Sequence, residues 1–147
     1  MKNISRSLKA FRVQTLLILV ALVLEFVLGM YTALFVQFPD TLVNGNAWSW
    51  SMTESPIIFA HVLLGTLLFL LALSVVVFGF ASRNRNAIVS SIAGLVLTGV
   101  AYMSGSAFLS NVALDNLSFS MSLGFLGSIL AYFAAFYTTR PEDGDKS

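Results

Sequence analysis

The chain has 147 residues, 57% of them hydrophobic and 10% charged, with a formal net charge of +1 and a mean hydropathy of +0.86. A soluble domain carries charge on about a quarter of its residues, so a water-soluble globule is excluded, and nothing in this balance points to nucleic acid. The absence of cysteine removes disulfides, thiolate metal sites and cysteine nucleophiles together.

A helix crosses a bilayer with about 20 predominantly apolar residues. Four runs qualify, roughly 11–36, 56–81, 87–110 and 117–138. They predict an all-α, polytopic membrane protein, an antiparallel bundle of four transmembrane helices forming a single membrane domain over residues 1–147. Lys2, Arg6, Lys9 and Arg12 at the first run imitate a signal peptide. That run exceeds an h-region of about 7–15 residues and no small-residue cleavage site follows it, so it is expected to be retained.

The connection 37–55, QFPDTLVNGNAWSWSMTES, carries turn signals at Pro39 and Asn44–Gly45. Trp48 and Trp50 are amphipathic aromatics that either anchor this loop at the membrane interface or close a lid over a site. Arg83–Asn84–Arg85–Asn86 forms a tight turn, which makes the second and third helices antiparallel neighbours. The polar tail 139–147 is expected to be disordered. The chain has no internal repeat.

All 8 basic residues fall on one side of this arrangement: four at the first helix, Arg83 and Arg85 in the second loop, Arg140 and Lys146 in the tail. The other loops hold Asp40, Glu54 and Asp115 instead. The positive-inside rule makes the basic side cytoplasmic, with both termini inside. The expected location is the cell membrane, and the expected partners are lipid, membrane-protein complexes or further copies of the chain.

Helices associate in lipid through small residues and polar side chains. Each run shows such a stripe: Ala21, Glu25, Gly29 and Ala33, with Thr32 adjacent; His61, Gly65, Ala72 and Gly79; Ser90, Gly94, Thr98, Tyr102 and Ser106; Ser120, Gly124, Ser128 and Ala135. Packing alone accounts for most of these. The stripes also turn Glu25 and His61 inward. On this reading the outer half is the more polar, with Tyr31, Thr32, Tyr102 and several serines around an outward-opening cavity. Glu25 lies near mid-membrane, where a charge must be neutralised, paired or wetted. By helical rise it sits roughly 9 Å deeper than His61, which favours a water bridge over direct contact. A neutral acid bonded to Tyr102 or a serine is the alternative.

His61, the single histidine, can be a bonded structural residue, a proton relay or a haem ligand. Other metals lack a second histidine or a thiolate. There is no catalytic triad and no phosphate-cradling glycine loop.

The run LVLEFVLGMYTALFVQFP, then a loop, then HVLLGTLLFLLALSVVV, resembles one four-helix half of the haem A synthase family. The resemblance implies an association with respiratory oxidases and haem ligands at the outer end of the second helix and near the start of the fourth. His61 matches the first position. The second falls in DNLSFSMSLGF, which has no histidine, and where Met121 is the residue able to ligate haem axially. The family's acid in the first outer loop has Glu54 as its nearest counterpart. Three functional expectations follow. The first is a small membrane subunit or accessory of a respiratory or haem-handling system. The second is a proton-coupled small transporter using Glu25, with Thr32 and Tyr102 beside it. The third is a haem-binding membrane enzyme using His61 and Met121.

Overall fold

The computed structural model describes residues 2–39, 42, 47–110 and 115–140, with side chains from Arg6 onward. The expectations placed on the Lys2 side chain, Asp40, Asn44–Gly45, Lys146 and the tail beyond Arg140 lie outside the described residues.

Among the described residues there are five α-helices: α1 Lys2–Phe35, α2 Trp48–Thr53, α3 Pro56–Ser82, α4 Arg85–Ser110 and α5 Asp115–Thr138. Four of them, all but α2, are long and apolar enough to cross a membrane. α1 begins nine residues earlier than the apolar run. Residues 2–10 contain no proline or glycine, so nothing stops the helix from continuing through its basic end. α3 opens on Pro56, whose missing N–H costs nothing in the first turn. It closes at Arg83 in the left-handed conformation (φ 54°), whose N–H reaches Phe80 O. Asn84 Oδ1 then accepts the Ala87 N–H at 3.1 Å and caps α4. The tight turn thus takes only two residues.

Two departures from expectation concern the connections. The loop 37–55 contains the short helix α2, and Thr139 belongs to the bundle rather than to a free tail. Thr139 is buried and its hydroxyl donates to Ala135 O at 2.6 Å.

The four long helices form a ring in which α1 packs against α3 and α5, and α4 against α3 and α5. Small residues let them approach. A Cβ on Gly124 would lie 2.8 Å from Ala101 N and 2.9 Å from Leu97 O, so α5 touches the backbone of α4. Gly79 admits Ser91, and Gly94 admits the ring of Tyr132, the largest fully buried side chain. The expected stripes face inward at Ala72, Gly79, Gly94, Thr98, Gly124, Ser128 and Ala135. Ala33 is exposed, and Ser91 rather than Ser90 occupies the buried register of α4. The outward surface is almost all apolar, with Leu34, Phe35, Val77, Met103 and Phe119 each about two-thirds exposed or nearly so. Such a surface suits hydrocarbon and not water.

Two separate apolar clusters fill the interior. One, nearer the Arg83–Asn84 turn, holds Phe11, Ile18, Leu22, Leu68, Val75 and Tyr132. The other joins Ala47, Ile58 and Leu109 with Phe38, Trp48 and Trp50 at the α2 end.

Candidate functional site

Between the two clusters stands the one ionisable pair among the described residues. His61 Nδ1 on α3 lies 3.0 Å from Glu25 Oε1 on α1. Both come from long apolar runs, and both turn away from the lipid-facing surface. The side chain of Glu25 is 9% exposed and that of His61 20%. The expected water bridge is therefore corrected to direct contact. Depths assigned from run ends left the two a turn or more apart, but a glutamate and an imidazole together reach across one turn when nothing stands between them.

Glycine provides that space on both sides. A Cβ on Gly29 would meet His61 Cε1 at 3.3 Å, and a Cβ on Gly65 would meet Glu25 Oε1 at 3.0 Å. Glu25 and Gly29 are four apart on α1, and His61 and Gly65 four apart on α3, so each pair shares a helix face. Each polar side chain lies over the other helix's glycine.

The contact is close but not a well-aligned hydrogen bond. Glu25 Oε1 lies off the direction of the ring N–H, and Glu25 Oε2 and His61 Nδ1 are both buried without a hydrogen-bond partner. Unsatisfied buried polar atoms are costly, so the pair retains capacity to take a proton, a water or a polar ligand.

The other candidate residues serve elsewhere. Thr32 Oγ1 donates to Gly29 O at 2.8 Å, which satisfies it within α1 one turn from the pair. Tyr102 stacks on Phe69 of α3 with ring centroids 5.3 Å apart and planes 16° from parallel. Met121 belongs to the α4–α5 seam, where its Sδ lies 3.1 Å from the position of a Cβ on Gly105. Glu54 is exposed at the end of α2. No cluster of three metal-ligating side chains occurs among the described residues.

Buried hydroxyls occur along the whole bundle: Thr15, Ser82, Ser91 and Thr139 toward the Arg83–Asn84 turn, Thr98 and Ser128 near the middle, and Ser51 and Ser55 at the α2 end. Most donate to a carbonyl three or four residues back, as Thr15 does to Phe11 O and Ser128 to Gly124 O, both at 2.8 Å. Thr98 Oγ1 donates to Ser128 Oγ at 3.1 Å. Self-satisfied hydroxyls line seams without making a site.

At the end of the bundle opposite the Arg83–Asn84 turn, α2 packs against α3. Trp48 Nε1 donates to Ser110 Oγ at 3.2 Å, Ala47 N–H to Leu109 O at 2.8 Å, and Trp50 packs on Phe38 with centroids 5.3 Å apart.

Fold and site together define a helical bundle of membrane type with a carboxylate–imidazole pair enclosed between two of its helices. Comparison with protein-family models, with curated proteins and with solved structures found no match in any of the three.

Proposed function

We propose that the chain is a multi-pass protein of the cell membrane, with helices alternating in direction and both termini cytoplasmic, that binds and releases protons at Glu25–His61 in coupled transport. Contacts between neighbours support the alternation. Gln14 meets Ser74 while Gly29 meets His61, and Gly94 meets Tyr132 while Gly105 meets Met121, so numbers rise on one helix as they fall on the next. Arg6, Arg12, Arg83, Arg85 and Arg140 all lie at or beside the turn end, which on this reading is the cytoplasmic one. The chain lacks native cysteine, so topology is directly testable. Ser49→Cys in α2 should react with an impermeant maleimide in intact cells, and Ser147→Cys only after permeabilisation. The reverse pattern removes the assignment.

One observation carries the proton reading, the 3.0 Å approach of His61 Nδ1 to Glu25 Oε1 inside the bundle. The pair exists as carboxylate with imidazolium, as neutral acid with neutral imidazole, or with one proton more or fewer. The first two are uncharged overall; the others place a net charge in an apolar layer, at a cost of several kcal/mol. A change in proton number therefore drives the seam to admit water or a compensating charge. In liposomes carrying a pH-sensitive dye, the chain should conduct a substrate-dependent proton flux that Glu25→Gln abolishes. Equal flux from the variant eliminates this reading.

A second reading, haem bound through His61, draws on the carboxylate at Nδ1, the arrangement by which proteins orient an imidazole whose other nitrogen binds metal. Against it, the Cε1 tip of the ring points at Gly29 in a closed helix seam, and Met121 fills the space over Gly105. The residues present do not fit a porphyrin in that seam. A purified sample with a Soret band lost in His61→Ala would reverse this ranking. Service as an accessory of a respiratory or haem-handling system rests on the sequence resemblance alone, and copurification with an oxidase is its test.

A further inference from the structure

At the end of the bundle opposite α2, a cavity of about 370 Å³ opens between α4 and α5, lined by Arg85, Asn86, Val89, Ser90 and Thr138. We infer that it binds the phosphate headgroup of an anionic phospholipid.

The lining pairs a cation and polar groups with an exposed apolar edge. Arg85 is exposed, and no described carboxylate pairs with it, since the single ion pair among the described residues is Glu25–His61. A guanidinium presents a planar fork that matches phosphate oxygens. Asn86 and Ser90 add donors within the same wall. Arg140 follows two residues after Thr138, and its guanidinium stacks over Tyr137 at 4.7 Å. A second cation thus stands at the same helix end.

Beyond the cavity α4 and α5 present an exposed, apolar surface. One helical face of α4 leads from Val89 to Ala93, and one of α5 from Thr138 to Ala134 and Ala131. Ala93 and Ala134 are exposed. Exposed Val96, Leu130 and Phe133 beside these alanines give an acyl chain an apolar surface to lie on beneath the headgroup. A free phosphate would use the basic end alone, whereas a phospholipid also covers the exposed apolar surface beside it. The proposal rests on the membrane reading of the chain, and it takes the basic end as the headgroup level.

Native mass spectrometry of the full chain in detergent tests it, using phosphatidylglycerol and phosphatidylcholine of the same acyl chains. The wild-type chain should retain phosphatidylglycerol preferentially, and Arg85→Gln should lose about fivefold of that retention, the contribution of one cation at a headgroup surface. Ser90→Phe, which fills the cavity at unchanged charge, should lose it as well. Arg6→Gln, an exposed cation of α1 outside the cavity, should retain it. Equal losses in Arg6→Gln and Arg85→Gln would mean diffuse attraction and overturn the proposal. So would full displacement by millimolar inorganic phosphate. It also fails if Arg85→Gln changes nothing while neutralising Glu142, Asp143 and Asp145 raises retention, since the acidic tail would then be the occupant. Maleimide labelling reads topology separately, so failure of the membrane assignment is distinguishable from failure of the lipid site.

Discussion

At the scale of single residues, the chemistry concentrates where two glycines face two ionisable side chains. Removing one partner strands the other in a nearly dry seam, whereas removing both leaves neither charge behind. Glu25→Ala and His61→Ala should therefore each lower the thermal stability of the detergent-solubilised chain, and the double variant should lose less than their sum. The expected coupling is about 1 kcal/mol, in the range measured for polar contacts between membrane helices, and additivity in a double-mutant cycle would contradict it. Gly65→Ala tests geometry rather than charge. Its Cβ would press on Glu25 Oε1 at 3.0 Å, and the carboxylate, at the end of a flexible side chain, can swing away. Stability should change little while proton flux falls; unchanged flux would show that the close approach is dispensable. The identities of both residues were legible in the sequence, because a glutamate or histidine in a run of leucines must be sheltered. Their contact was not. Helical rise measures depth along one helix, but the register between two helices is set by which side chains leave room, here Gly29 and Gly65.

At the scale of elements, the seams rank glycines by what lies opposite. A methyl at Gly124 meets backbone atoms of Ala101 and Leu97 below 3 Å. Backbone cannot turn aside, so α4 and α5 must separate. Gly124→Ala should cost about 1–3 kcal/mol, the range for overpacking. Gly99→Ala meets only Phe69 Cε2, at 3.7 Å, an ordinary contact, and the gain in helix propensity of up to about 1 kcal/mol should leave it neutral or stabilising. Melting of the two variants in one detergent decides this, and equal melting temperatures would refute the ranking. The four long helices were legible because hydrocarbon demands length and apolarity, which sequence displays directly. α2 was not, since six residues of tryptophan, serine, methionine and threonine carry no helical period of their own. It folds against Phe38, Ile58 and Leu109, a surface that exists only once the bundle does. The buried Ser91 missed its place by one residue for the same reason: the α3–α4 register follows Gly79, on another helix.

At the scale of the whole molecule, the pair's position between two apolar clusters determines which side can reach it. Toward the turn end, Leu22 and Leu68 close the interior with the larger cluster. Toward the other end, among the described residues, stands the smaller group of Ala47, Ile58 and Leu109 under α2, whose contacts include the Trp48 and Ala47 hydrogen bonds and the Phe38–Trp50 ring contact. Segments with few buried contacts open at low free-energy cost, so entry to Glu25–His61 should run beneath α2. Ile58, 4% exposed, is a reporter for that opening. In Ile58→Cys, the only thiol in the chain should react slowly with a charged methanethiosulfonate. Adding Trp50→Ala removes the ring that packs on Phe38, and a loss of about 1.4 kcal/mol of lid stability would speed labelling about tenfold. A thiol placed instead at Ala72, buried in the larger cluster, should react no faster when Trp50 is removed. If both thiols accelerate together, Trp50→Ala has loosened the whole bundle and α2 is not a separate lid. If neither does, the route to the pair lies along the α1–α3 seam, where Gly29 and Gly65 leave room for the imidazole and the carboxylate.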